Sequence, residues 1–269
     1  MKYIASFPRS GNHLCRFKVE YLTGQATHGC RDNPSDVPIC RNRFDADPKI
    51  LQHVDPAKII GQKAHSWTQI LSYSNRFGIE CSGLLIINRN PIQAIASHIR
   101  SSGSLAQAPK RFDKLFEQWK QLLLVGVFSP MEASLVWYDD LISNDRSRYT
   151  AATLRISKLF WPAVDPERLG HLLNRINDFR ELSAHGKKRA WAGSRSVGLP
   201  IDFHLKKFDA DQRKGCCEVV ARRLTETIGE VKMFAGNISP RSQNFSRVAE
   251  TVERLERWRT AVESIKHSN

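Results

Sequence analysis

Three short groups of residues in this chain have the types and spacing for chemistry on an anionic ligand. The first is Arg9-Ser10-Gly11-Asn12-His13, which follows the mainly apolar stretch Tyr3 to Phe7 and leads into an amphipathic segment. Pro8 ends the strand, Gly11 permits a positive φ or a close backbone approach, and Ser10 and Asn12 are suited to cap the following helix. A loop that opens a helix after a strand aims backbone N–H groups and the positive helix end at one point, which makes an anion site. Arg9 adds a fixed charge whose donors match phosphate geometry. The second group is Arg89-Asn90-Pro91, at the end of the apolar run Leu84–Asn88, with Ser97 eight residues after Arg89. Pro91 suits a first helical turn, and Arg89 stands at a strand's carboxyl end, where open α/β sheets bind ligands. The third is Lys63 and His65, at the close of the strand that contains Ile59 and Ile60. Two residues apart, they share a face as long as the strand stays extended.

The first loop is not a nucleoside-triphosphate loop. That motif requires G-x-x-x-x-G-K-[ST], with the Lys on phosphate and the hydroxyl on magnesium. No earlier Gly precedes Gly11, and Asn12 stands where the Lys belongs. Taken alone, Pro8-Arg9-Ser10-Gly11 is equally a plain turn.

Strands are expected at Lys2 to Phe7, Lys58 to Gln62, Leu84 to Asn88 and Ser134 to Tyr138, the third apolar throughout as in strands covered on both faces. Helical periodicity lies between them, at about Asn12 to Tyr21, Trp67 to Phe77, Pro91 to Arg100 and Arg111 to Val125. This alternation predicts an α/β fold: one domain with a central parallel sheet flanked by helices. After Tyr149 the pattern is mainly helical, over Ala151–Phe160, Pro166–Ile176 and Ala210–Ile228. Residues 25–56 are rich in Pro, Asp, Asn and Arg and read as an irregular insertion, either a lid over a binding surface or a solvated loop. Gly186 to Gly198 is Gly-rich and basic, a composition that can wrap a phosphate. Residues 245–266 form one amphipathic helix, with packing on its own domain and pairing in a homodimer as the two alternatives.

With 269 residues, 41% of them hydrophobic, the chain can bury one large core. No window approaches the ~20 apolar residues of a membrane span, and the first residues lack a signal-peptide core. Six cysteines without C-x-x-C spacing point to reduced thiols, and so to a cytoplasmic protein, rather than to a disulfide framework. His28, Cys30 and Cys40 are the residues closest to a metal set, and no metal is expected. A net charge of +14 suits nucleic acid, anionic lipid or a polyanionic substrate without choosing among them.

Together these segments resemble the cofactor-binding elements of the sulfotransferases that use 3′-phosphoadenosine 5′-phosphosulfate (PAPS). In that family a Pro-Lys/Arg-Ser-Gly loop after the first strand holds the 5′-phosphosulfate. An Arg-Asn-Pro segment, with a Ser eight residues after its Arg, holds the 3′-phosphate. Arg9, Ser10, Gly11, Arg89 and Ser97 match those positions, and Asn12 and His13 complete the loop. Gln62-Lys63-Ala64-His65 looks like the family's Lys-x-His segment, whose His is the usual base in the cytosolic branch. Leu135 to Leu141, with Asp139 and Asp140, is similar to a strand-plus-acidic segment of bacterial members. The likeness covers roughly residues 1 to 225, through four segments in order and at spacing.

The resemblance implies sulfuryl transfer from PAPS to an acceptor hydroxyl, leaving adenosine 3′,5′-bisphosphate, with no metal. The acceptor is a small molecule, a glycan or a peptide, and residues 25–56 help to shape its site. Arg9 then stabilises the bridging and leaving oxygens, Lys63 is the second cation, and His65 is the general base, with His13 as its rival. The basic segment falls where the family places a mobile loop over the nucleotide, with Arg195 as the preferred contact and Arg189 second. A literal Arg213-Lys214-Gly215 occurs, but at an expected helix start. Two positions depart from the family: Arg9 replaces the commoner Lys, and Leu14 stands where cytosolic members often place a Trp against adenine, leaving Trp67 or Trp191 for that role. Asp139 and Asp140 read as acids that hold nearby loops. Two other readings compete: a nucleotide-binding phosphotransferase, which lacks its magnesium ligands here, and a basic nucleic-acid-binding protein, which requires a continuous basic patch with aromatic platforms. Under the leading reading no nucleic-acid partner is expected.

Overall fold

The computed structural model describes residues 1–32, 38–41, 52–101, 105, 107–174, 201–236 and 243–266. Five strands form one sheet: β1 (Lys2–Ser6), β2 (Gln25–His28), β3 (Asp55–Ala64), β4 (Gly83–Asn88) and β5 (Ala133–Trp137). Every pairing is parallel, and the strand order is β2-β3-β1-β4-β5. The helices are α1 (Asn12–Thr23), α2 (Trp67–Phe77), α3 (Pro91–Ser101), α4 (Ala108–Phe128), the single turn α5 (Tyr138–Leu141), α6 (Arg146–Phe160), α7 (Pro166–Asn174), α8 (Ile201–Leu205), α9 (Ala210–Ala235) and α10 (Gln243–Lys266). The chain is therefore α/β, with helices flanking an all-parallel sheet.

The apolar run of β4 makes it a central strand, buried at all six residues. Its side chains alternate between two cores, as strand geometry requires. Leu84 and Ile86 pack with Ile92, Ile95, Phe116 and Trp119, while Leu85 and Ile87 pack with Cys15, Val19, Leu22 and Ile156. Thus α1 and α6 cover one face and α3, α4, α9 and α10 the other. The loop after β1 leaves toward α1, whereas the loops after β3 and β4 leave toward the opposite face. That divergence falls at the carboxyl edge around β1, the kind of position where doubly wound sheets bind ligands.

Gln25–Pro56, expected to be irregular, begins with the edge strand β2, and β3 starts at Asp55, three residues before the expected Lys58. A buried carboxylate organises this region. Glu20 of α1 is fully buried and accepts from Thr27 N at 2.8 Å, Ile39 N at 3.1 Å and Cys40 N at 2.7 Å. Arg16, one turn earlier, donates Nε to Thr27 Oγ1 at 2.9 Å. Further along, Gly29 to Asp32 is held on the sheet edge by Gln62, whose Nε2 donates to Gly29 O and whose Oε1 accepts from Arg31 Nε at 3.0 Å.

Several helix starts follow their local chemistry. Ser66 caps α2 by accepting from Gln69 N at 3.0 Å, and Asp209 opens α9 with a reciprocal capping box to Gln212. Arg213-Lys214-Gly215 accordingly lies inside α9, where Arg213 Nε donates to Phe208 O at 2.9 Å, and not in a loop. All six cysteines are free. Among the described residues no helix is long and apolar enough to cross a membrane.

The helix α10 packs on its own domain. Trp258 meets Trp137 edge-on at 5.5 Å and Trp119 at 6.2 Å. Arg254 grips Asp140 through two bonds, Nη1 to Oδ1 at 3.1 Å and Nη2 to Oδ2 at 2.8 Å, with both side chains only 9% exposed. Glu250 accepts from Trp137 Nε1 at 2.9 Å and from Arg155 Nη2 at 2.8 Å. Removing one partner of a buried ion pair costs about 3–5 kcal/mol, because the other charge stays buried. Asp140→Ala is therefore expected to lower the unfolding free energy by about that amount in urea titrations, and Asp140→Leu with Arg254→Met to recover much of it.

Candidate functional site

The Phe7–Gly11 loop is a tight turn closed by Ser10 N donating to Phe7 O at 3.2 Å. Two of its residues lie in the left-handed region, Arg9 at φ 66° and Gly11 at φ 91°. For Arg9 that backbone is strained, a condition that concentrates at functional sites. Gly11 is the N-cap of α1, and no side chain caps the helix there. The expectation that Ser10 or Asn12 caps it is thus corrected. The buried Asn12 turns back, donating Nδ2 to Ile4 O at 2.9 Å and to Ser6 Oγ at 3.2 Å, which ties loop to strand. Ser10 is fully buried, and its Oγ has no hydrogen-bond partner among the described residues. Buried hydroxyls are normally satisfied, and an anion at the start of α1 would complete this one.

Gly11 also makes room for a neighbour. A Cβ built there would lie 2.3 Å from Tyr138 Cδ2. The Tyr138 ring, at the start of α5 directly after β5, thus lies on the loop backbone, and the Arg89 guanidinium stacks 4.7 Å from its centroid. Arg89 is buried, yet its fork has neutral acceptors on three sides: Nη1 donates to Arg9 O at 3.0 Å, Nε to Gln93 Oε1 at 3.4 Å and Nη2 to His204 Nε2 at 3.3 Å. Its backbone is fixed as well. Trp119 Nε1 donates to Arg89 O at 2.9 Å, and Asn88 Oδ1 accepts from Arg89 N at 3.0 Å. The two loops that the sequence presents separately are therefore one unit, joined through Arg89 and the Arg9 carbonyl.

Positive charge is crowded here. Burial, followed by the charge of Arg100, holds Arg9 below the usual arginine range, and burial is also the main cause for Arg89. His98, edge-on to Phe7 at 5.7 Å, is lowered by burial, then by Arg9 and Arg111. His204 is pushed down to about 4 by burial, then by Arg89 and Arg100. Such a field disfavours further cations and favours a polyanion. Ser97 is half-buried on α3, one turn beyond Gln93 and one before Arg100, so these three share a stripe leading away from Arg89.

Lys63 is buried in β3, in register with Ile4. The strand ends at Ala64, so His65 stands in the turn before α2 rather than on an extended strand. Its backbone N donates to Gln69 Oε1 at 2.7 Å, and its Nδ1 lies 3.0 Å from Ser6 O, at the root of the Arg9 loop. A carbonyl only accepts, so the neutral ring carries its proton on Nδ1 and its lone pair on Nε2. That is the tautomer a general base needs. His13 lies half-buried in the first turn of α1. Arg189, Arg195 and Trp191 lie outside the described residues, and Trp67 is the first residue of α2.

Of the acidic pair, Asp140 is bound by Arg254 and Arg148, as an acid that anchors neighbouring elements. Asp139 is raised by burial, an effect opposed by Arg89 and Arg254. Among the described residues no group of His, Cys, Asp and Glu has the arrangement of a metal centre. Sequence reasoning missed Tyr138, Gln93, Arg100 and His204. Only Tyr138 carried a signal, as the aromatic that closes an apolar strand before two acids. No protein-family model matches the chain, and no curated protein matches its sequence.

Gly11→Ala combines the left-handed backbone with a collision against a ring held on both sides. It is expected to cost about 1–3 kcal/mol and to remove stabilisation by pyrophosphate in thermal denaturation. Adding Tyr138→Ala should return part of the stability.

Proposed function

We propose that this chain is a sulfotransferase that moves a sulfuryl group from PAPS to an acceptor hydroxyl. The observation that carries the reading is the 3.0 Å bond from Arg89 to the Arg9 carbonyl, which sets two anion-suited strand–helix junctions side by side. One ligand with phosphate groups on both the 3′ and the 5′ oxygen of its ribose matches that pair better than two unrelated anions do. The donor supplies the sulfuryl group, and the remaining work falls to the protein.

Ser10, the first-turn amides of α1 and Arg9 hold the 5′ end, while Arg89 and Ser97 take the 3′-phosphate. Arg9 and Lys63 stabilise the charge that grows on the leaving phosphate oxygen, the term that dominates when a loose transition state spreads charge over oxygens. His65, held through Nδ1 by Ser6 O, receives the acceptor proton at Nε2 as the acceptor oxygen bonds to sulfur and the bridging S–O bond breaks. No metal takes part. The acceptor is a small-molecule, glycan or peptide hydroxyl, and the protein acts in the cytoplasm.

Arg89→Ala is expected to weaken adenosine 3′,5′-bisphosphate about 10- to 100-fold in calorimetry and adenosine 5′-monophosphate only a few-fold, from the ~1.5–3 kcal/mol of a charged hydrogen bond. Equal losses, or wild-type protein that prefers ATP with magnesium, would remove the reading. His65→Ala is expected to keep nucleotide affinity within a few-fold while sulfuryl transfer falls by about two orders of magnitude. Near-normal transfer in that variant would shift the base to His13.

A further inference from the structure

We propose that His204 is a positioning residue: as a neutral imidazole it accepts from the Arg89 guanidinium and aims that cation at the phosphate monoester of a nucleotide. The inference rests on the reading of Arg89 as a phosphate ligand and adds to it the group that sets its direction. His204 stands in the short helix α8, fully buried, 115 residues from Arg89 in the chain. Its Nε2 lies 3.3 Å from Arg89 Nη2. A guanidinium has donors only and keeps its proton in proteins, so this bond has one sense: arginine donates and the ring nitrogen accepts. The imidazole is then neutral and protonated at Nδ1, which is buried and has no hydrogen-bond partner among the described residues.

The neighbours favour that charge state. Arg89 faces the ring from the β4–α3 junction and Arg100 lies near it on α3, its Nη1 reaching the Phe203 carbonyl at 3.4 Å. Its own helix adds Asp202, and the next residue after it is Lys206. An imidazolium would set N–H against N–H and place two cations 3.3 Å apart. Arg9 O, Gln93 Oε1 and His204 Nε2 each take a different nitrogen of the guanidinium, fixing its plane while adding no negative charge of their own. A histidine that merely filled the core would be replaceable by leucine, whereas an acceptor for Arg89 would not. That difference makes the proposal testable, because glutamine keeps a carbonyl acceptor of similar reach.

The test compares wild-type protein with His204→Leu and His204→Gln, measuring calorimetrically the ratio of affinities for adenosine 3′,5′-bisphosphate and adenosine 5′-monophosphate. The expected result is a ratio about tenfold lower in His204→Leu and within about threefold of wild type in His204→Gln. In nitrogen-15 spectra of the ligand-free protein, the Arg89 Nη protons should be slowed and separate in wild type and His204→Gln. In His204→Leu they should merge. A folded His204→Leu with the wild-type ratio would overturn the inference and leave the nucleotide reading standing. A wild-type protein that does not distinguish the two nucleotides would overturn both. Should the leucine variant fail to fold, the wild-type spectrum decides: freely rotating Arg89 Nη groups refute the positioning role, and restrained ones support it.

Discussion

The site depends on what happens to one buried guanidinium. Arg89 has given up water for a tyrosine face and three neutral acceptors, so the energetic cost of its burial is met by hydrogen bonds rather than by a shell of solvent. Each acceptor comes from a different part of the chain: the first loop, the helix after β4 and the short helix α8. The loop conformation at Arg9, the close approach at Gly11 and the docking of α8 on α3 all converge on this charge. It connects the cores on the two faces of the sheet at the edge where their helices diverge.

Much of this could be read from the residues alone, and the reason differs by element. The strand β4 was legible because a strand covered on both faces must be apolar at every position. The helix α2 was legible because Trp67 to Phe77 keeps helical periodicity, and the structure adds the Ser66 cap that satisfies its first orphan donor. Arg9, Ser10, Gly11 and Arg89 were legible because strand–loop–helix junctions carry their own turn chemistry. By contrast, β2 was not, since Gln25-Ala26-Thr27-His28 holds one apolar residue and owes its place to Glu20, a carboxylate one turn back in α1. The caps expected of Ser10 and Asn12 failed for a related reason. Asn12 found a better partner in the strand it follows, and Ser10 is buried with its Oγ unpartnered among the described residues.

His204 marks the limit of such reading. Nothing around it suggests chemistry, because its meaning comes from Arg89, a residue far upstream that only the tertiary fold brings within hydrogen-bond reach. The extended-strand argument for Lys63 and His65 failed at the strand's last residue, yet the turn that replaced it sets the imidazole against Ser6 O. Local periodicity predicts where a strand runs, and the neighbouring strand decides what its end touches.

The grip of α10 on the end of β5 has a consequence for how the molecule is made. Synthesis delivers the chain from its amino end at about 5–20 residues per second. Asp140 leaves the ribosome just before Arg148, its more exposed partner, but well before Arg254, the buried partner that arrives 114 residues later. For several seconds the wall formed by Tyr138 and Trp137 therefore has no finished support, and the aromatic faces that Trp258 will cover stay exposed. The junctions of Arg9 and Arg89 are made early, whereas Trp258, which backs Trp137 behind β5, follows long after them. A nascent chain of this protein thus holds Arg9 and Arg89 early and gains both His204 and the support behind β5 late.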